Sequence, residues 1–323
     1  MRVLIMCLLA TFVLGAALPI RAAELTVATF NAEFLTRPKV HMKFGLPFNL
    51  GAADEATWDQ PGFRNQKFAE AAAHVAQVIA TIDADVIALT EVGDERDLRE
   101  LRDAVTALGV NYPHLAVCEC LDSSTQQHVA VLSRIALTAV MPAIPGREGY
   151  VAEPDDPESE DDTRISKGMK VEFSFEGHLF HMYVLHLISE RGEYKSDLQR
   201  VAQASIARRH MLPLLAAGEP VIVAGDLNDK RGQPTLLRIR GFDDIYPDLI
   251  QTGLVRYFEE DELDTRWTYT YQGERNQIDH VLLSPGVEAL MTSKNRIGTR
   301  IIDHGNEMAS DHRPVIVTMD LKD

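Results

Sequence analysis

Six places along the chain put a polar, chemistry-bearing side chain where an apolar strand ends or is interrupted. They are Asn31 in ATFNAEF, Glu91 in IALTEV, His186 in YVLHL, Asp226 with Asn228 in VIVAGDLND, Asp279 in NQIDHVLL, and Asp311–His312 in ASDHRPVIV. A carboxylate beside an apolar run is costly unless it is paired, hydrogen-bonded or metal-bound. Any one of these residues alone reads as structural: Asn31 as a strand-end cap, His186 as a packed core histidine, Asp226–Asn228 as an Asx-turn. Asp279 alone reads as the partner of an arginine, and Asp311–His312 as part of a turn. Their recurrence at strand ends points instead to one convergent site. The residue types say what it would do. Glu91 and Asn31 are hard oxygen donors suited to Mg²⁺ or Mn²⁺. His186 and His312 can donate to phosphate oxygens or exchange protons with them. Asp226 can orient or deprotonate a water, and Asn228 is a neutral donor to a developing oxyanion. Together these groups suit water attack on a phosphoester.

Residues at these positions must be delivered by strands, and the sequence supplies them. Leu25–Leu35 begins with period-2 alternation, and Val86–Val92 is a short apolar run. Further strands are expected at His128–Ser133, Met169–Phe175, Leu179–Leu187, Val221–Ala224, Ile278–Ser284 and Pro314–Leu321. Phe68, Ala72, Val75, Ile79 and Ile82 form one apolar helical stripe. A second helix is expected around Leu198, Val201, Ala202 and Ile206, with Ser196 and Gln199 as its capping box. Arg37–Pro61, punctuated by Gly and Pro, reads as a loop. Strands interleaved with helices predict an α/β sandwich with mixed sheets.

The ordered set FNAEF, LTEV, LHL, GDLND, QIDHVLLS and SDHRPV resembles the endonuclease/exonuclease/phosphatase superfamily, over Leu25–Leu321. That family includes deoxyribonuclease I, apurinic endonucleases, neutral sphingomyelinases and inositol-polyphosphate 5-phosphatases. The resemblance implies a four-layer α/β sandwich, with two mixed β-sheets packed face to face between flanking helices. It implies that Asn31 and Glu91 bind the divalent metal, with Asp311 beside it, and that Asp226 and Asn228 position the attacking water and the phosphate. His312 would contact the scissile phosphate, oriented by Asp279. His186 matches the deoxyribonuclease I and sphingomyelinase branches rather than the apurinic endonucleases, and Glu119 is a candidate for its supporting carboxylate.

Composition narrows the partner. There are 32 Lys plus Arg against 48 Asp plus Glu, a formal net charge of −16, which opposes passive binding of polyanions through a basic surface. Local cations (Arg164, Lys167 and Lys170; Arg191, Lys195 and Arg200; Lys230 and Arg231; Arg296 and Arg300) form either a phosphate-tracking rim or ordinary solvated charge. Arg2, the apolar run from Val3 to Leu18, and Ala22–Ala23 make a secretion signal over residues 1–23, with one enzymatic domain over 24–323. The run is short for an uncleaved membrane anchor. Secretion permits a Cys118–Cys120 disulfide, although i, i+2 spacing on a strand lies at the upper limit for bridging, and two packed thiols are the alternative. The acidic stretch Glu153–Asp162 lacks the glycine-turn spacing of an EF-hand and reads as a solvated loop. Trp58 and Trp267 fall in irregular segments, the latter opening WTYTY, whose aromatic residues read first as ordinary packing and second as the lining of a substrate cleft; no aromatic-basic interleaving marks a single-strand binding platform. The sequence therefore predicts a secreted, monomeric phosphodiesterase acting on nucleic acid, without an obligate protein partner. A phospholipid head group is the alternative substrate, with Phe44–Leu50 (FGLPFNL) as the candidate membrane-reading hairpin. A phosphomonoesterase and a catalytically silent binding module on the same scaffold are further alternatives.

Overall fold

The computed structural model describes residues 23–153, 155–241, 250–251, 266–292 and 297–322. The signal segment and Arg296 lie outside these residues. In chain order the first half comprises β1 (Ala23–Leu35), a 3₁₀ turn (Arg37–Phe44), α1 (Ala52–Trp58), α2 (Phe63–Ile82), β2 (Val86–Val92), α3 (Glu95–Ala107), β3 (His114–Val117), β4 (His128–Ser133) and β5 (Leu137–Met141). There follow β6 (Glu148–Glu153), β7 (Asp156–Thr163), β8 (Gly168–Phe175), β9 (His178–His186), α4 (Glu193–Ala216), β10 (Val221–Asp226), α5 (Pro234–Arg240) and β11 (Ile250–Gln251). The chain closes with β12 (Tyr269–Tyr271), β13 (Glu274–Asn276), β14 (Asp279–Leu283), α6 (Pro285–Leu290), β15 (Ile297–Ile301) and β16 (Val315–Leu321).

Two mixed six-stranded sheets carry the fold, in orders β15-β16-β1-β2-β4-β3 and β11-β14-β10-β9-β8-β5. In each, a parallel pair lies near the centre: β1 with β2, and β9 with β10. Alternation along these strands builds the layers. Leu25 and Val27 of β1, Met182 and Val184 of β9, and Ile222 and Ala224 of β10 face the core between the sheets. The intervening residues face outward onto helices: Ala28 and Phe30 onto the side of α2 and α3, Tyr183, Leu185, Val221 and Val223 onto the side of α4 and α5. Helices, sheet, sheet and helices are the four layers expected. Burial on both faces explains why the central strands read as unbroken apolar runs; each fully buried Val, Leu or Ile contributes about 1.5–3 kcal/mol.

Several expectations need correction. Arg37–Pro61 is not a plain loop: it folds into the 3₁₀ turn and α1, because Trp58 is buried against His41, Phe44 and Phe63. Phe44–Leu50 is no exposed hairpin; Phe44, Leu46 and Leu50 pack on the core beside α2. Ser196 and Gln199 do not cap α4, which starts at Glu193; Ser196 is buried, and Gln199 reaches across to the Thr163 hydroxyl, 3.0 Å away. The acidic stretch is not a loop either. Asp156–Thr163 forms β7, paired antiparallel with β6, and its charges stay outward on Arg147 and Lys195. Cys118 and Cys120 form a disulfide: they lie just past the end of β3, where the chain contracts to a Cα–Cα distance of 5.2 Å.

Candidate active site

Alternation also delivers the polar residues. Asn31 continues the parity of Leu25 and Val27, His186 that of Met182 and Val184, Asp226 that of Ile222 and Ala224, and Asp279 that of Val281 and Leu283. All four therefore point into the space between the sheets, at one end of it. Register aligns them further, since Asp226 pairs with His186 on one side and with Asp279 on the other. The Gly225 preceding Asp226 is required by this closeness: φ is +144°, and a Cβ there would lie 1.9 Å from the Leu185 carbonyl oxygen. Glu91 has the wrong parity, matching Ile87 and Leu89 on the helix side. A break in the β2–β4 register and a left-handed backbone at Glu91 (φ +59°) turn its carboxylate to the site. Such a conformation is costly for a non-glycine residue and clusters at functional sites.

The two sheets meet through Asn31. Its Nδ2 donates to Asp226 Oδ2 (2.9 Å) and to Glu91 Oε1 (3.2 Å), while its Oδ1 accepts from the Glu33 N–H (2.9 Å). The NH₂ group thus faces the carboxylates; rotating the amide would present Oδ1 to a cation and release the Glu33 N–H. Glu91 Oε2 is held by the Phe34 N–H (3.0 Å) and by Gln127 Nε2. Gln127 is itself fixed at Oε1 by Lys167 Nζ and by the Thr125 hydroxyl, each 3.1 Å away. His186 Nε2 lies 3.7 Å from Glu91 Oε1 and 3.9 Å from Asp226 Oδ2. Asp226 Oδ1 accepts from the Asn228 N–H (2.9 Å), and Asn228 Nδ2 is committed to the Leu187 carbonyl (2.9 Å). As placed, Asn228 organises the turn after β10 and does not aim its amide at a free oxyanion position.

His312 forms the opposite wall. Its Nδ1 lies 2.7 Å from Asp279 Oδ2, both side chains being buried, and its ring stacks on Tyr269 with centroids 4.6 Å apart. Ser310 ties this wall to β1: its hydroxyl donates to the Asn31 carbonyl (2.7 Å) and accepts from the His312 N–H (2.9 Å). Thr268 Oγ1 accepts from the Asp279 N–H (3.2 Å). Asp311 sits at the rim, half exposed, its Oδ1 3.8 Å from His312 Nε2. Every residue expected at the site is thus gathered at one end of the sandwich. Glu119 is the exception: it is exposed, while His186 Nδ1 is buried without a hydrogen-bond partner, so Glu119 does not support that histidine.

Charge in this space is out of balance. Burial, the Asp279 charge and the Glu91 charge push Asp226 up to about 7. Burial and the charge of Asp311 likewise raise Glu33 to about 7, against the pull of Lys43. Burial holds His186 well below the usual histidine range, reinforced by Lys167, so this imidazole is neutral. Burial would do the same to His312, but the Asp279 charge and hydrogen bond, with Asp226 and Asp311, outweigh it and hold His312 well above that range. Carboxylates raised by burial and, beyond that, by neighbouring carboxylates fit a site built for a cation. The donor geometry agrees. Ligand atoms of Glu91, His186 and Asp226 fall within 4.8 Å of one another, as do those of Asp226, Asp279 and His312. Asp279 Oδ1 is buried and unpartnered. Because His312 is bound as a cation to Asp279, the first trio is the better metal site, with two carboxylates and a neutral imidazole.

Sequence reasoning missed three supporting residues. Gln127 and Ser310 are small or neutral side chains without a pattern of their own. Lys43 is buried, its Nζ donating to the carbonyls of Ala32 (2.9 Å), Glu33 (2.8 Å) and Ala309 (2.8 Å). It clamps the end of β1 to the segment before Asp311; a lysine in an apparent loop gave no hint of burial.

A four-layer sandwich whose facing sheets present hard carboxylates, a neutral histidine and a carboxylate-bound imidazolium defines a metal-dependent phosphoesterase. The chain belongs to the Endonuclease/Exonuclease/phosphatase family, whose profile matches residues 28–312. No curated protein matches it in sequence. Among solved structures, truncated Caenorhabditis elegans TDP2 superimposes with a TM-score of 0.53 at 15% identity, covering 92% of this chain and 97% of that one. An endonuclease/exonuclease/phosphatase family protein from Bacteroides thetaiotaomicron gives 0.53 at 17% identity, covering 94% and 99%. Beta toxin 275-280 from Staphylococcus aureus gives 0.54 at 14% identity, covering 91% and 99%. These likenesses establish the shared fold.

Proposed function

We propose that the protein is a secreted, Mg²⁺-dependent phosphodiesterase whose substrate is nucleic acid, with Mn²⁺ as a substitute ion. The observation that carries the reading is the pairing of opposite walls: a cation-seeking cluster of Glu91, Asp226 and neutral His186 faces an imidazolium held by Asp279. A divalent cation held by Glu91, with Asp226 and His186 beside it, would supply Lewis acidity to a phosphoester oxygen. His312 donates a hydrogen bond or a proton from Nε2 to phosphate, and Asp279 keeps Nδ1 protonated and the ring aimed. Asp226 orients an attacking water and accepts its proton. Asn31 and Ser310 hold the two walls in register.

Nucleic acid is favoured over lipid because the segment that would have read a membrane packs on the core. Among the described residues, no helix is long and apolar enough to cross a membrane. Several of the local cations serve structure: Lys170 pairs with Glu172, Lys195 with Asp161, and Arg200 with Asp197. The test is a panel of plasmid DNA, RNA, sphingomyelin and an aryl phosphodiester, each with Mg²⁺, Mn²⁺, Ca²⁺ or a chelator. Glu91→Gln serves as control and should lose at least about 100-fold in kcat while its circular dichroism is unchanged. Metal-dependent cleavage of DNA or RNA is the expected result. Chelator-insensitive turnover, or a fully active Glu91→Gln, would remove the assignment.

A further inference from the structure

The hairpin formed by β12 and β13 stands beside the site, and Tyr269 pairs directly with His312 as an isolated bridge. Residues two apart on a strand share a face. Tyr269 and Tyr271 do so with rings stacked 17° from parallel and centroids 6.5 Å apart. Tyr269 in turn stacks on the His312 imidazole, 25° from parallel. A column of rings therefore leads outward from the group that meets phosphate to Tyr271, which is 54% exposed. Its hydroxyl accepts from Gln272 Nε2 at 3.2 Å. On the hairpin face opposite the two tyrosines Arg275 pairs with Thr270, and the Arg313 and Arg275 guanidinium groups lie over Trp267, at 3.3 Å and 4.9 Å from the ring centroid.

Resting on the phosphodiesterase reading, we infer that Tyr271 is a stacking platform for an unpaired nucleobase next to the scissile phosphate, so that the substrate class is single-stranded nucleic acid. Every base offers a π-face, so such a platform needs no sequence. A base inside a duplex has both faces covered. Arg275, on the second strand of the hairpin, adds a positive charge that favours a phosphate-bearing ligand over the quaternary ammonium of a choline head group, the other ligand an aromatic surface can take; Arg313 is paired with Asp303.

The test compares a labelled oligothymidylate with an abasic phosphodiester chain of equal length, by fluorescence anisotropy in Mg²⁺ buffer. Binding is measured in the Glu91→Gln background, so that turnover plays no part. The base-bearing chain should bind about 5- to 30-fold tighter. Tyr271→Ala should bring that ratio to about one, and Tyr271→Trp should retain it. Equal binding of the two chains without Tyr271→Ala, or an unchanged ratio with it, overturns the inference; so does saturable binding of phosphocholine in place of the oligonucleotide. The outcomes separate from those of the substrate panel. An active phosphoesterase without base preference loses only the platform. A base preference that depends on Tyr271, in a protein that cleaves no phosphoester, keeps the platform and removes the hydrolase.

Discussion

Replacing Asp279 by Asn removes a charge from the His312 pair while keeping an oxygen that can accept from Nδ1. The carboxylate and the imidazole lie 2.7 Å apart and are both buried, so the loss is that of a charge-assisted bond, about 1.5–3 kcal/mol. At about 1.4 kcal/mol per pH unit, His312 should lose its proton roughly 1–2 units earlier. Without the Asp279 charge, burial, which opposes the imidazolium, is countered only by Asp226 and Asp311. The assay is kcat/KM for an aryl phosphodiester at saturating Mg²⁺ over a pH series from acid to alkaline. The alkaline limb should move to lower pH, with a loss of about 10- to 100-fold where wild type is still protonated. The same pair contributes stability that is fully present below the unfolded histidine pKa of about 6.5. That stability disappears as pH rises through the raised folded value, so the gap between wild type and variant in urea unfolding should narrow in alkali. Coincident alkaline limbs in the two proteins would refute a catalytic imidazolium at His312.

Removing divalent cations should expose the repulsion around Asp226, whose folded pKa of about 7 lies above its usual 3.8. A raised carboxyl costs stability as pH rises between those values, so the metal-free protein should melt lower at neutral pH than in mild acid, as followed by calorimetry. Added Mg²⁺ at 100 times its Kd should recover about 2.7 kcal/mol at neutral pH and much less in acid, where the ligands hold protons. Lys43→Met leaves the Ala32, Glu33 and Ala309 carbonyls without their donor and the Glu33 carboxylate without its cation, and should cost about 3–5 kcal/mol, read from the urea midpoint.

The chemistry of the site was more legible than the scaffold around it. Asn31, His186, Asp226 and Asp279 stand out because strand alternation carries a polar residue onto a face that is otherwise apolar. Glu91 stands out by type, although its orientation depends on a left-handed residue that no pattern announces. Helix α3 went unseen because its exposed side is so polar that only Leu98, Leu101 and Val105 mark the buried face. The β6–β7 hairpin was hidden by acids whose repulsion argues against a strand; backbone pairing with β6 and contacts to Arg147 and Lys195 offset it. Gln127, Ser310 and Lys43 act only through three-dimensional neighbours, so composition and spacing carry no trace of them.

Asn31 lends one sheet's amide to the other sheet's carboxylate, and from this a practical consequence follows. Catalytic competence measures how well the two halves of the sandwich are seated on each other. A slide of an ångström along their shared apolar seam would silence turnover while every strand and helix persisted. Under mild denaturant, inactivation should thus precede the loss of ellipticity, and neither half expressed alone would cleave anything.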